Sequence, residues 1–165
     1  MFAKFTSLVS LFIVAVVVAN AQETHTVSFV NNCGRGTPTL VQNGNILNNG
    51  GSFTSNGPFP AAIAYLQTGN CGLNGENCMT VEMTLQNAVN GPGSGSSVDF
   101  SLIPPLAFNV PAHFEYVNTP GCNGEGATCA DANCPVAFHS PSDDPAGKQF
   151  ACQTDNANLQ IVYCP

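Results

Sequence analysis

Apolar and polar side chains alternate along Val98-Asp99-Phe100-Ser101-Leu102, which places Val98, Phe100 and Leu102 on one side of an extended chain and Asp99 and Ser101 on the other. The same period of two recurs at Val81-Glu82-Met83-Thr84-Leu85 and at Thr26-Val27-Ser28-Phe29. This is the pattern of strands that are buried on one face only. In the first two segments a carboxylate occupies a position on the polar face.

Taken in order, the pattern predicts strands over 24–30, 39–41, 46–47 and 52–54, with Asn43-Gly44 as a hairpin turn and Asn56-Gly57-Pro58 as a further break. Residues 61–66 are apolar at nearly every position, which suits a buried strand or a short helix. The Thr68-Gly69 that follows favours a strand. Further strands are predicted over 80–85, 98–102, 114–117, 150–152 and 159–164, and two prolines, Pro104 and Pro105, stop the strand over 98–102 before Phe108-Asn109-Val110 resumes an extended path. Residues 87–97 and 140–147 read as loops, 120–135 as a core-poor segment dense in cysteine, and 136–138 as a short helix or strand. No stretch carries a helical apolar period over three turns. Short strands broken by frequent turn signals predict an all-β antiparallel sandwich. Its core is predicted to include Val27, Phe29, Ile63, Val81, Met83, Leu85, Phe100, Leu102, Phe108, Val110, Ile161 and Tyr163.

Residues 1–21 depart from this pattern. A lysine at position 4, an apolar run over 8–18 and Ala19-Asn20-Ala21 have the arrangement of a secretory signal peptide, too short for a membrane anchor. Cleavage after Ala21 leaves 22–165 as a single domain. All eight cysteines lie in that part, and an even number in an exported chain predicts four disulfides. A zinc site from Cys122, Cys129 and Cys134 is disfavoured by export, and His25, His113 and His139 are too scattered for a metal centre. With Lys4 removed, two cations face ten acids, a net charge of −8. Such a surface excludes nucleic acid and anionic membranes as partners. No nucleophile elbow is present, and no cofactor is implied.

Several stretches, in order, resemble the thaumatin-like proteins, secreted defence and cell-wall proteins built on an antiparallel β-sandwich. They are Thr26 to Cys33, Thr68-Gly69-Asn70-Cys71-Gly72 with Cys78, Glu82-Met83-Thr84-Leu85, Asp99-Phe100-Ser101-Leu102, Phe108-Asn109-Val110-Pro111, Gly121-Cys122, Cys129-Ala130, Cys134-Pro135 and Ile161-Val162-Tyr163-Cys164-Pro165. The chain resembles the small fungal type, in which a disulfide-rich second region is reduced. The resemblance implies the pairs Cys33–Cys164, Cys71–Cys78 and Cys122–Cys152, and leaves Cys129 to pair with Cys134.

The resemblance also implies an acidic cleft that binds β-1,3-glucan, in some members with weak endo-glucanase activity. Glu82 matches the family's Glu and Asp99 its first Asp. Two further acids have no match, and the family's Arg falls at Gln67. Glycoside hydrolysis requires two carboxyl groups, one protonated. Glu82 as the acid and Asp99 as the nucleophile or base are therefore the candidate catalytic pair, and Tyr65, Gln67, Glu82 and Asp99 the candidate substrate-binding residues. Tyr116 and Phe53 are further candidates for stacking on a sugar ring. The expected partner is β-glucan or another neutral polysaccharide, the expected state a monomer and the expected location extracellular or in the cell wall. The rival expectations are a weak endo-β-1,3-glucanase and a non-carbohydrate effector or inhibitor on the same scaffold.

Overall fold

The computed structural model describes residues 22–89, 91 and 93–165, so the predicted signal peptide lies outside the described residues. Among the described residues twelve strands follow one another: β1 (Thr24–Asn31), β2 (Thr37–Gln42), β3 (Asn45–Asn49), β4 (Phe53–Asn56), β5 (Phe59–Gln67), β6 (Thr80–Leu85), β7 (Ser96–Ser101), β8 (Ala112–Val117), β9 (Gly126–Cys129), β10 (Ala137–Phe138), β11 (Phe150–Cys152) and β12 (Asn158–Tyr163). There is no helix among the described residues. A five-stranded sheet runs β4-β1-β12-β8-β9. A seven-stranded sheet runs β10-β7-β6-β5-β2-β3, with β11 also paired to β7. Most pairings are antiparallel, but β1 lies parallel to β12 and β10 parallel to β7.

The period of two determines how the sheets pack. Val27 of β1, Phe114 and Tyr116 of β8 and Leu159 and Ile161 of β12 point inward from one sheet, and Ala62, Ala64, Leu66, Val81, Met83, Val98 and Phe100 from the other. Phe100 meets Phe114 across the interface with ring centroids 4.8 Å apart. At roughly 25 cal/mol per Å² of apolar surface removed from water, this core is the main source of stability. Asn43 and Gly44 both adopt positive φ, 51° and 72°, as the tight turn between β2 and β3 requires.

Four disulfides, Cys33–Cys164, Cys71–Cys78, Cys122–Cys152 and Cys129–Cys134, use all eight cysteines and leave no free thiol to ligate zinc. The first joins the chain just past β1 to the end of β12, the strand β1 pairs with.

The structure departs from the sequence pattern in three places. Phe108-Asn109-Val110 is not a strand. The Asn109 side chain accepts a hydrogen bond from the Met79 amide at 3.2 Å and donates one to the Leu66 carbonyl at 3.0 Å, so a side chain replaces ladder pairing there. The cysteine-dense segment contains β9, whose Ala127 and Cys129 are buried and whose Thr128 is exposed; its alternation is too short and too weakly apolar to stand out. Ile63 is not in the sandwich core. Its neighbours Ala62 and Ala64 take the inward positions of β5, so Ile63 turns outward and packs against a separate cluster of Val41, Tyr65 and Cys78. Phe29 and Phe108 are only partly buried, against the main core.

Candidate functional site

The outer face of the seven-stranded sheet carries the two acids. Register places Ile63, Glu82 and Asp99 side by side on β5, β6 and β7, with Glu82 directly opposite Asp99. Opposed residues in such a ladder have Cβ atoms about 4.5–5.5 Å apart, so the two carboxyl groups are neighbours. They line a cleft of about 290 Å³ together with Ala61, Ala62, Ile63, Met83, Thr84, Ser97 and Gln149. Thr84 and Ser97 are the next opposed pair along the same face. The Thr84 hydroxyl also accepts the Ala61 amide at 3.1 Å, where β5 bulges and Ala61 takes a φ of 51°.

One end of this face is closed. The next outward row holds Tyr65, Thr80 and Ser101, all buried. The Cys71–Cys78 loop covers it: Tyr65 donates its hydroxyl to the Leu73 carbonyl at 3.2 Å. Gly75, at φ 83°, lies so close to Thr80 that a Cβ there would collide with its methyl group. The loop is itself braced by Gln67, whose Nε2 donates to the Cys71 carbonyl at 2.9 Å and whose Oε1 accepts the amides of Gly69 and Cys71.

This enclosure changes the chemistry of Asp99. Burial, and secondarily the charge of Glu82, push its carboxyl up to about 7. Glu82 accepts a hydrogen bond from the Thr80 hydroxyl at 3.4 Å. Asp99 is thus a carboxyl whose surroundings favour the protonated form. A protonated carboxyl beside a second carboxyl offers a donor and acceptors within one cross-strand spacing, a match for vicinal hydroxyl groups. No cation lines the cleft. Lys148, next to the rim residue Gln149, is engaged by Asp143 and lies over the Phe138 ring.

Two of the four candidate binding residues are therefore brought together and two are not. Glu82 and Asp99 share the cleft. Tyr65 is 1% exposed and presents no ring face to a ligand, and Gln67 is committed to the loop. Tyr116 is likewise buried, and Phe53 packs on Phe59. Sequence reasoning missed Thr84, Ser97 and Gln149. The first two were within reach, being two positions from Glu82 and Asp99 on alternating strands. Gln149 sits after a turn-rich loop and carries no such signal. No group of three or more His, Cys, Asp or Glu side chains suited to a metal ion occurs among the described residues.

No family model matches the chain. Over 120 residues it is 31% identical to thaumatin-like pathogenesis-related protein 2 of Avena sativa, a match that covers 72% of this chain and 57% of that protein. The chain is thaumatin-like. It spans little more than half the length of the relative it matches. Among solved structures it is similar to the thaumatin-like xylanase inhibitor TLXI, at 20% identity with a TM-score of 0.49, covering 86% of this chain and 99% of that one. It is also similar to the protein elicitor MoHrip2 of Magnaporthe oryzae, at 15% identity with a TM-score of 0.49, covering 87% of this chain and 99% of that one.

Proposed function

We propose that the chain is a secreted protein that binds β-1,3-glucan or a related neutral cell-wall polysaccharide through the Glu82–Asp99 cleft. The observation that carries this reading is the direct opposition of the two carboxyl groups in a cleft whose other polar groups are hydroxyls and a carboxamide. Such a surface matches sugar hydroxyls and disfavours anionic polymers. The reading extends to a signal peptide over 1–21, a single domain over 22–165 and a small fungal type acting at the cell wall as a monomer. Retention on insoluble β-1,3-glucan is the test. Wild-type protein is expected to be retained, and Glu82→Gln, with its fold verified, to lose retention about ten-fold, the loss of one charged hydrogen bond. Equal retention of both would refute the cleft as the site.

A second reading, a weak endo-β-1,3-glucanase, is supported by the pairing of a carboxyl raised to about 7 with a second carboxyl beside it. That is the minimal equipment of a retaining hydrolase, with Asp99 as acid and Glu82 as nucleophile. Release of reducing ends from soluble β-1,3-glucan, abolished in Asp99→Asn and in Glu82→Gln, would favour it over binding alone.

A further inference from the structure

His25 lies outside the cleft and is completely buried on β1. Its Nδ1 is 2.8 Å from the Ala157 carbonyl oxygen, and its Nε2 is 3.0 Å from Glu23 Oε1. A carbonyl oxygen only accepts, and so does an ionised carboxylate. A neutral imidazole has one N–H and can satisfy one of these two acceptors; the imidazolium satisfies both. Glu23 Oε1 also accepts the backbone amide of Asn87 at 2.7 Å. Burial alone would push the Glu23 carboxyl up, but the bonds from His25 and Asn87 and the charge of His25 outweigh it and hold Glu23 below the ordinary range. Glu23 is thus ionised wherever this question matters.

The pair joins three segments distant in sequence: the start of β1, the connection that leaves β6 and leads to β7, and the turn before β12. Around it, the Asn156 side chain accepts the Thr24 amide and the Asn87 side chain accepts the Asn156 amide. Ser55 is the neighbour of His25 on β4, and the turn before β12 offers the Ala157 carbonyl. Asp155, two positions before Ala157, is exposed and is the acid of that turn.

We infer that His25 is held as the imidazolium and that the His25–Glu23 pair is a pH-sensitive clamp tying the start of β1 to the β6–β7 connection and to the turn before β12. With His25 protonated, all the bonds are present. As pH rises and the proton leaves, one buried ring nitrogen faces an acceptor with nothing to donate, and the clamp loosens. On the acid side, Glu23 contributes above its unfolded value of 4.5, and that contribution is lost as pH falls through its lower folded value. The clamp is therefore tightest in mildly acidic solution.

Nitrogen NMR of the His25 ring, with hydrogen exchange of the Asn87 amide, tests this. At about pH 6 both ring nitrogens are expected to carry protons. Between about pH 6 and about pH 8.5, Asn87 protection corrected for intrinsic exchange is expected to fall about ten-fold. Glu23→Gln supplies a second readout. The oxygen that contacts both His25 and Asn87 stays an acceptor but loses the negative charge that favours the imidazolium, so the pH dependence is expected to disappear from this range. A single neutral tautomer at pH 6, or protection unchanged between the two pH values, would overturn the clamp. PH dependence persisting in a folded Glu23→Gln would overturn the role of Glu23. Should that variant fail to fold, the wild-type ring spectrum decides alone.

Discussion

The two sheets turn very different outer faces to solvent. On the five-stranded sheet, Thr26, Ser28, Gln160, Glu115 and His113 all remain partly exposed. His113 and Glu115 on β8 lie 4.0 Å apart, with side chains 28% and 34% exposed. On the seven-stranded sheet, the Cys71–Cys78 loop closes one end of the face, and the segment before β11 contributes Gln149 to the rim of what remains open. Both faces began as the polar side of alternating strands. What separates them is what lies over them, and the consequence is a carboxyl moved from 3.8 to about 7. A strand pattern places a carboxylate outward, but the connections between strands decide whether outward means solvent or cleft.

The largest expected effect tests the frame that both faces share. Cys33–Cys164 spans 131 positions, and a chain-entropy estimate for so long a loop is about 5 kcal/mol. Replacing both cysteines by alanine is expected to lower unfolding stability by about that much in denaturant titrations. The cleft should survive in whatever fraction stays folded, because neither cysteine lines it. Loss of the Asp99 perturbation in the folded fraction would mean the bridge organises the cleft as well.

Asp99 gives the next effect, and its sign follows from linkage. A carboxyl whose folded value lies above its unfolded value is bound to a proton more readily in the folded state. Its contribution is therefore most favourable below about pH 4 and declines as pH rises to about 7. The full shift corresponds to about 2–4 kcal/mol after allowance for solvent in the cleft. Asp99→Asn is expected to remove this slope and to be more stable than wild type at about pH 8, as measured by denaturant unfolding at several pH values. A parallel pH profile for the two proteins would show that the cleft does not perturb Asp99.

The covering loop is a smaller term. Cys71–Cys78 closes a span of only 7 positions, worth about 2.5 kcal/mol on the same estimate. Replacing both cysteines by alanine is expected to cost about half as much stability as loss of Cys33–Cys164. It should also expose the Tyr65 ring, seen as a change in tyrosine fluorescence quenching. That combination would turn the closed end of this face into something closer to the open face of the other sheet.

The fold was legible because alternation survives in β1, β6, β7 and β12, where the inward positions are apolar apart from His25 and Ser96. The two acids were legible for the same reason, since each interrupts such a run. Their chemistry was not. The period of two cannot show that a loop between β5 and β6 folds back over Tyr65, and so Tyr65 and Gln67 looked like ligands when they are loop supports. Nor can it show that Ile63, flanked by Ala62 and Ala64, yields the inward positions to alanines. Small residues fit between closely packed sheets, and the larger isoleucine finds its apolar surroundings under the loop. The assignment of acid and base between Glu82 and Asp99 depended on burial, which has no sequence signature in two segments so alike.

The smallest expected effect lies on the open face, and it is the sharpest control for the comparison. Glu115 is also an outward acid on an alternating strand, with a neighbouring titratable group, so in sequence it resembles Glu82 and Asp99. Its contact with His113 is long, and both side chains reach solvent. Exposed pairs of this kind contribute about 0–1 kcal/mol and are screened by salt. His113 is in any case engaged elsewhere, through Nδ1 to the Thr128 hydroxyl at 2.8 Å. Glu115→Gln is expected to change unfolding stability by less than about 0.5 kcal/mol and to leave retention on β-1,3-glucan unaltered. Side-by-side pH titrations of Glu115→Gln and Asp99→Asn then isolate the contribution of the cover. If the two variants gave slopes of similar size, the walls around Asp99 would not be what distinguishes the faces, and the cleft would have no better claim to a ligand than the open sheet.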